Sequence, residues 1–333
     1  MPGYTPPYEI SAKMLELVSS ISEKIGSITS HRDLEAKPQL RRNNRIRSIH
    51  ATLRIEANSL SFNEVRDVIN GHQVTGDQKE ILEVKNAFNA YEKISEIDPS
   101  NIDHLKKIHA IMTHLTVEES GEFRRGNEGV FSGGRCIFMA PPPGRVNELM
   151  QDLLSWVRNS AGKVHPLIVA AVFHYEFVFI HPFADGNGRM ARLWHTVILS
   201  RWRSIFKYIP LESQIEKFQK QYYDAIAQSH INGNSDVFIE FMLSMINGAL
   251  DDAILQVTRK NPETSVYVKR LLALMKYDVP YTASELMKRL QLKSRETFRL
   301  WENNCFFQTD PKQNIVISYT KSTASSTVSQ KIR

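Results

Sequence analysis

The chain has 333 residues of which 42% are hydrophobic, enough to fill a core in each of two or three domains, and this places it among globular proteins. Forty-two basic against thirty-six acidic side chains give a formal net charge of +6, a surplus too small to demand nucleic acid as a partner. Cys136 and Cys305 lie far apart in no metal-ligand spacing, which argues against a disulfide framework or a zinc site, and the absence of a signal-like N-terminus or of about eighteen uninterrupted apolar residues argues against secretion or membrane spanning, so a reducing cytoplasm is expected.

Between Ile10 and Ile28 the residues Met14, Leu17, Val18, Ile21 and Ile25 form an apolar stripe that predicts a packing helix. The next segment carries Arg41, Arg42, Arg45, Arg47 and Arg54, a basic run that reads first as a solvated face. Inside it, Thr52 to Asn58 reads by itself as one helical turn ending near Asn58. An amphipathic helix is expected from Asp77 to Ile97, then a second one over HLKKIHAIMTHL capped by Asp98 or Ser100. A glycine-rich hairpin with Val130, Phe131, Ile137 and Phe138 follows, which could be a mere crossover, and after three prolines another helix begins. The apolar run LIVAAVFHYEFVFI and the stretch RLWHTVILSRW, with Leu193, Val197 and Ile198 at helical spacing, predict two buried helices joined by a loop. His165, His174 and His195 are read as packing or surface residues, and Tyr222 and Tyr223 as packing side chains or the lining of a pocket.

After Asp251 the character changes. Beyond Asn261 and Pro262, Thr282 caps ASELMKRL, a turn spans Gln291 to Ser294, RETFRLWENN opens a second helix, and NIVISY alternates like a strand. Helix, turn, helix and strand over 262–320 suggest a winged-helix-like module. Lys288, Arg289, Lys293, Arg295 and Arg299 favour DNA through residues 282–300, while a dimerisation role, and with it a homodimer, stays open. The Ser/Thr/Lys-rich tail over 321–333 is expected to fray.

The densest chemistry lies in the loop between the two apolar helices, His-Pro-Phe-Ala-Asp-Gly-Asn-Gly-Arg-Met-Ala-Arg from His181 to Arg192. Gly186 and Gly188 can adopt conformations that let successive N–H groups converge on an anion, and Arg189 opens a helix whose N-terminus favours negative charge. Arg192 lies three residues further along the same face, so phosphate is the expected guest. Each residue alone has an ordinary reading as a cap or turn; together they are more specific than a lone glycine pattern.

At these residues the chain resembles the Fic family, whose signature HxFx(D/E)GNGRxxR is met at every fixed position. The resemblance implies a mainly α fold: an N-terminal helical region over 1–95, and a Fic-type core with a small β-hairpin flap over 96–250. It implies transfer of AMP from ATP, with Mg2+, to a Ser, Thr or Tyr hydroxyl of a protein, the chain itself included. His181 would be the general base, Asp185 the magnesium ligand, and Gly186, Asn187, Gly188, Arg189 and Arg192 the ATP and phosphate site. Phe183 would anchor the loop, and the flap edge at Phe138 and Met139 would align the target. Thr52 and Glu56 match the family's inhibitory pattern (S/T)xxxE(G/N) within a helix spanning about 45–60, with Ala57 departing from Gly or Asn; alanine there is read as a good helix former. Removal of AMP, another phosphate donor, or a DNA-binding regulator are the alternative functions.

Overall fold

A computed structural model of the chain describes residues 4–30, 38–132, 135–259, 307–309 and 315–317. Met1–Ile254 and Leu255–Arg333 cluster as separate units. In the first, residues before α1 (Ala12–Ser30) run as an extended strap: the Tyr4 hydroxyl donates to Glu176 Oε2 at 2.8 Å and Ser235 N–H to the Pro7 carbonyl at 3.1 Å. The expected stripe of α1 holds in part, with Met14, Ile21, Ile25 and Ile28 buried while Leu17 and Val18 are half-exposed.

The next helix, α2 (Pro38–Ile55), buries residues on most of its circumference, among them Leu40, Ile46, Ile49, Thr52 and Leu53. Its arginines therefore do not form a plain solvated face. Arg45 has a side chain only 13% exposed, with its Nε 3.7 Å from Glu92 and its guanidinium 5.6 Å from the Tyr91 ring centre. At the end of α2 the Asn58 N–H reaches back to the Leu53 carbonyl (3.1 Å) and the Ala57 N–H to Arg54 (3.0 Å), with Ala57 at φ 65°. This is a Schellman closure with Glu56 as the C-cap and Ala57 in the left-handed position. The sequence expectation is corrected here: helix propensity is irrelevant to residue 57, because a Gly or Asn is favoured there by its tolerance of positive φ.

A capping box of Ser61 and Glu64 starts α3 (Phe62–Ile69), and the Asp77 side chain caps α4 (Gln78–Glu92), which stops short of the expected Ile97. The cap of α5 (Ile102–Met112) is Asn101, which accepts from Asp103 N and His104 N; Asp98, one of the two expected caps, instead accepts from Ser100 at 2.9 Å. β1 (Gly129–Ser132) and β2 (Arg135–Met139) pair antiparallel, with Val130 opposite Phe138 and a bulge between Val130 and Phe131. α6 (Pro143–Asn159) follows, and then the central pair: α7 (Pro166–Ile180), apolar on all sides and buried throughout its middle, against α8 (Asn187–Trp202), buried from Asn187 to Ser200. A 3-10 turn (Ser204–Tyr208), α9 (Leu211–Lys217), α10 (Gln219–Asn232) and α11 (Asp236–Arg259) complete the helices among the described residues.

In the second unit β3 (Phe307–Thr309) pairs antiparallel with β4 (Ile315–Ile317). The expected helices around Thr282 and Arg295, the DNA-facing basic residues and the tail over 321–333 lie outside the described residues. Among the described residues no helix is long and apolar enough to cross a membrane.

Candidate active site

The turn from α7 into α8 is made by His181, whose backbone is left-handed (φ 51°, ψ 59°) and whose N–H closes on the Phe177 carbonyl. His181 Nδ1 faces the Val178 carbonyl at 3.4 Å, which favours the tautomer carrying its proton on Nδ1 and leaves the Nε2 lone pair free to accept one. Burial lowers the imidazole pKa, opposed by the Val178 carbonyl and the Glu128 charge, so the ring is neutral at pH 7.

Three side chains hold the loop in shape. Phe183 is fully buried, stacked on the His109 ring at 3.6 Å between centres, in keeping with its expected anchoring role. Asn187 accepts from Phe183 N (2.9 Å) through Oδ1 and donates to Phe183 O (2.7 Å) through Nδ2. Its side chain thus closes the loop on itself. His109 accepts the Gly121 N–H on Nδ1 (2.9 Å), so its Nε2–H is the donor to the Asp185 carbonyl (2.9 Å), and burial depresses its pKa to about 4.

Arg124 braces the other side. Its guanidinium donates to the carbonyls of His181 (2.6 Å), Gly126 (2.7 Å) and Pro141 (2.5 Å), and its own N–H to Pro182 (2.9 Å). Sequence reading missed both His109 and Arg124. The only local sign was their lying within or just after α5, because their partners are far along the chain.

The glycine loop leads into a helix that opens at Asn187 and not at Arg189. Gly186 has φ 81°, and a Cβ there would press on Thr113 at 3.0 Å; a Cβ at Gly188 would collide with Glu56 Oε1. Asp185 is half-exposed, takes the Gly186 N–H on Oδ1 at 2.5 Å and pairs through Oδ2 with Arg189 at 3.1 Å. Arg189 is buried, 3.7 Å from Glu83, and its Nε and Nη1 have no hydrogen-bond partner among the described residues, leaving donor capacity next to the loop.

Arg192 is almost wholly enclosed. Its Nε donates to Thr52 Oγ1 (2.8 Å), and its Nη2 to the Thr52 carbonyl (3.1 Å) and to Glu56 Oε1 (2.6 Å). Burial works against its charge, but Glu56 and the nearby Tyr222 outweigh it and hold the pKa above the ordinary arginine value. Thr52 and Glu56 therefore meet Arg192 across 140 and 136 residues of sequence. The Glu56 carboxylate sits at the C-terminal end of α2, where the helix dipole disfavours it, and beside Gly188 in the first turn of α8, where the dipole favours it.

Among the secondary histidines, His165 caps α7, His174 bonds the Tyr222 hydroxyl at 2.9 Å, and His195 is buried with its pKa pushed down to about 3. Tyr222 packs in the core and Tyr223 is half-exposed. On the flap, Phe138 stacks on His230 at 4.2 Å, while Met139 is 54% exposed at the strand edge.

A solved Fic family protein from Desulfovibrio desulfuricans G20 superposes with a TM-score of 0.73 at 36% identity, covering 96% of this chain and 100% of that one. The chain belongs to the Fic family. The sequence model of the Fic/DOC family matches residues 99–199, a span that holds His109, Arg124 and the whole loop of this Fic protein but neither Thr52 nor Glu56. Among curated relatives, "Protein adenylyltransferase Fic" of Aedes aegypti is 29% identical over 62% of this chain and 41% of that protein, and that of Drosophila melanogaster 28% over 71% and 49%. The Fic chain thus spans less than half the length of these curated relatives. A Fic-1 fragment from C. elegans shares the fold at a TM-score of 0.62 and 22% identity, over 75% of this chain and 74% of that one.

Proposed function

We propose that the chain transfers AMP from ATP to a hydroxyl of a protein, itself among the candidates, and that Glu56 restrains the reaction. The observation that carries the reading is the joining, within one loop, of a neutral imidazole with a free Nε2 to an anion cradle of glycine amides, Arg189 and Arg192. The relatives named protein adenylyltransferase support the same chemistry.

In this mechanism the target hydroxyl gives its proton to His181 Nε2 as its oxygen attacks the α-phosphorus. The bond from that phosphorus to the bridging oxygen breaks, and pyrophosphate leaves with the electron pair. The first-turn amides of α8 and the Arg189 donors without a hydrogen-bond partner would meet the charge that grows on the phosphates, joined by the Gly186 N–H once Asp185 releases it. Arg192 is the anchor for the γ-phosphate once Glu56 releases it. The edge at Phe138 and Met139 pairs with an extended target segment and so brings its hydroxyl to His181.

The donor set also fits magnesium. Asp185 is a half-exposed carboxylate beside the cradle, and among the described residues no group of three or more His, Cys, Asp or Glu forms a cage, so a hard cation arriving with the phosphates is what suits the site. Asp185 would hold the ion, which would neutralise part of the triphosphate charge.

Intact mass after incubation with ATP and magnesium tests the reading: a gain of one AMP is expected on the chain or on a supplied target. His181→Ala should abolish that gain while ATP still binds, because the imidazole meets the hydroxyl and not the phosphates. A His181→Ala variant with near-normal transfer would overturn the assignment. Removal of AMP is the competing reaction, favoured by the same half-exposed Glu56 carboxylate, which could orient a water; release of AMP from a modified protein separates the two.

A further inference from the structure

The N-terminal half of α2 lines a second cavity of about 180 Å³, closed by α4 and the 3-10 turn and walled by Arg41, Arg42, Arg45, Phe88, Glu92 and Tyr208. Three arginines and one carboxylate are among its lining residues, a surplus of two positive charges in the lining. Neutral partners hold two of them: Arg41 lies 5.4 Å above the Tyr208 ring centre with Nη1 3.5 Å from its hydroxyl, and Arg42 Nη2 donates to Asn70 Oδ1 at 2.8 Å. These contacts orient the arginines without cancelling their charge. Arg45 has Glu92 opposite at 3.7 Å, longer than a hydrogen bond; burial lowers its pKa, against the charges of Glu92 and, less strongly, of Glu212.

Like charges four residues apart on one helix repel, and Arg41 and Arg45 are held on the same wall. An arrangement of this kind matches a dianion with several acceptor oxygens. A phosphate monoester carries roughly −1.5 to −2 charges at pH 7 and three such oxygens. The volume is below the roughly 300 Å³ where drug-sized pockets begin, so a nucleoside triphosphate is too large, whereas a phosphate with a small organic part fits.

We infer that this cavity binds a small phosphate monoester or free phosphate, with its oxygens on Arg41, Arg42 and Arg45 and its organic part against Phe88 and Tyr208. The ligand ties α2 to α4 and to the 3-10 turn. Because α2 ends at Glu56, occupancy also steadies the carboxylate on Arg192; that consequence, unlike the binding, rests on the reading of Glu56 given above.

Calorimetric titration of the full chain at constant ionic strength, with inorganic phosphate in one arm and ribose 5-phosphate in the other, tests the site. Arg41→Gln and Arg42→Gln should each weaken binding by about tenfold, the loss of one charge-assisted contact. Glu92→Gln should tighten it, since the carboxylate that lines the cavity is gone. Tighter binding of ribose 5-phosphate than of phosphate would assign the organic part to the aromatic walls, and equal binding would assign the site to free phosphate. Affinities unchanged by both arginine substitutions, which would place all phosphate binding in the loop at Gly186–Arg192, overturn the proposal. So does a wild-type chain that binds neither probe. The readout is independent of AMP transfer, so its failure and a failure of the proposed activity are separable.

Discussion

Replacing Glu56 by Gly should lower the stability of the chain modestly while it speeds the chemistry, and the structure sets both magnitudes. The Glu56 to Arg192 contact is 2.6 Å long, with Arg192 1% and Glu56 37% exposed. A charge-assisted hydrogen bond contributes about 1.5–3 kcal/mol, discounted to about 1–2 kcal/mol because Glu56 is partly in water. The substitution adds a helix-propensity cost of at most about 1 kcal/mol at the cap. Arg192 keeps both of its contacts with Thr52, which hold its geometry while its charge loses its carboxylate partner. For a unit of this size each kcal/mol lowers Tm by roughly 2–4 °C, and a fall of about 4–10 °C is expected. Catalysis should move the other way. Freeing the guanidinium recovers at least about 1.4 kcal/mol of barrier, a factor of ten, and restoring in-line phosphate geometry can add on the order of a hundredfold. The assay is AMP incorporation at saturating ATP and magnesium, with Glu56→Gly paired with Arg192→Ala as the control that should lose most of the gain. If Glu56→Gly transfers AMP no faster than the parent chain, the restraint assigned to Glu56 is wrong.

Ala57→Gly is expected to stabilise the chain: a left-handed alanine costs about 1–2 kcal/mol, against about 0.4–1 kcal/mol of unfolded-state entropy returned to glycine, leaving a net gain of about 0.5–1 kcal/mol. A thermal melt should rise by a few degrees, and a fall would mean the α2 terminus is not closed as described. His109 makes stability depend on pH with a definite sign. Its folded pKa of about 4 lies below the unfolded value, so its contribution is fully present above about pH 6.5 and is lost as pH falls from there through about 4, to a limit of about 3 kcal/mol. Denaturant melts across that range should show His109→Gln with a shallower slope by about one proton; an unchanged slope would remove His109 from the account.

What could be read from the sequence was what local spacing dictates. The loop from His181 to Arg192 was legible because its glycines, base and arginines act within a dozen neighbouring positions, and the flanking helices because a stretch of fourteen residues with twelve apolar ones buries itself whatever surrounds it. Glu56 was legible only through its spacing from Thr52. That it reaches Arg192 is a fact of tertiary packing, and so are the carbonyls gathered by Arg124 and the stacking of His109 on Phe183. The bonds of Asn187 to Phe183 were not legible for a related reason: a polar side chain in such a loop can also serve the loop's own backbone. Ala57 was misjudged because sequence shows which residue follows a helix but not the sign of its φ.

The division of labour between Thr52 and Glu56 bears on how fast the site could open. Thr52 grips Arg192 through both its hydroxyl and its carbonyl, and does so from the same helix that presents Glu56. Departure of the carboxylate therefore does not require α2 to leave its seat. A rotamer change of one partly solvated side chain suffices, an event on the picosecond to nanosecond scale, while helix undocking would belong to microseconds or slower. Under the restraint proposed for Glu56, the degree of inhibition would then be set by the population of one side-chain conformer and not by the rate of any large motion.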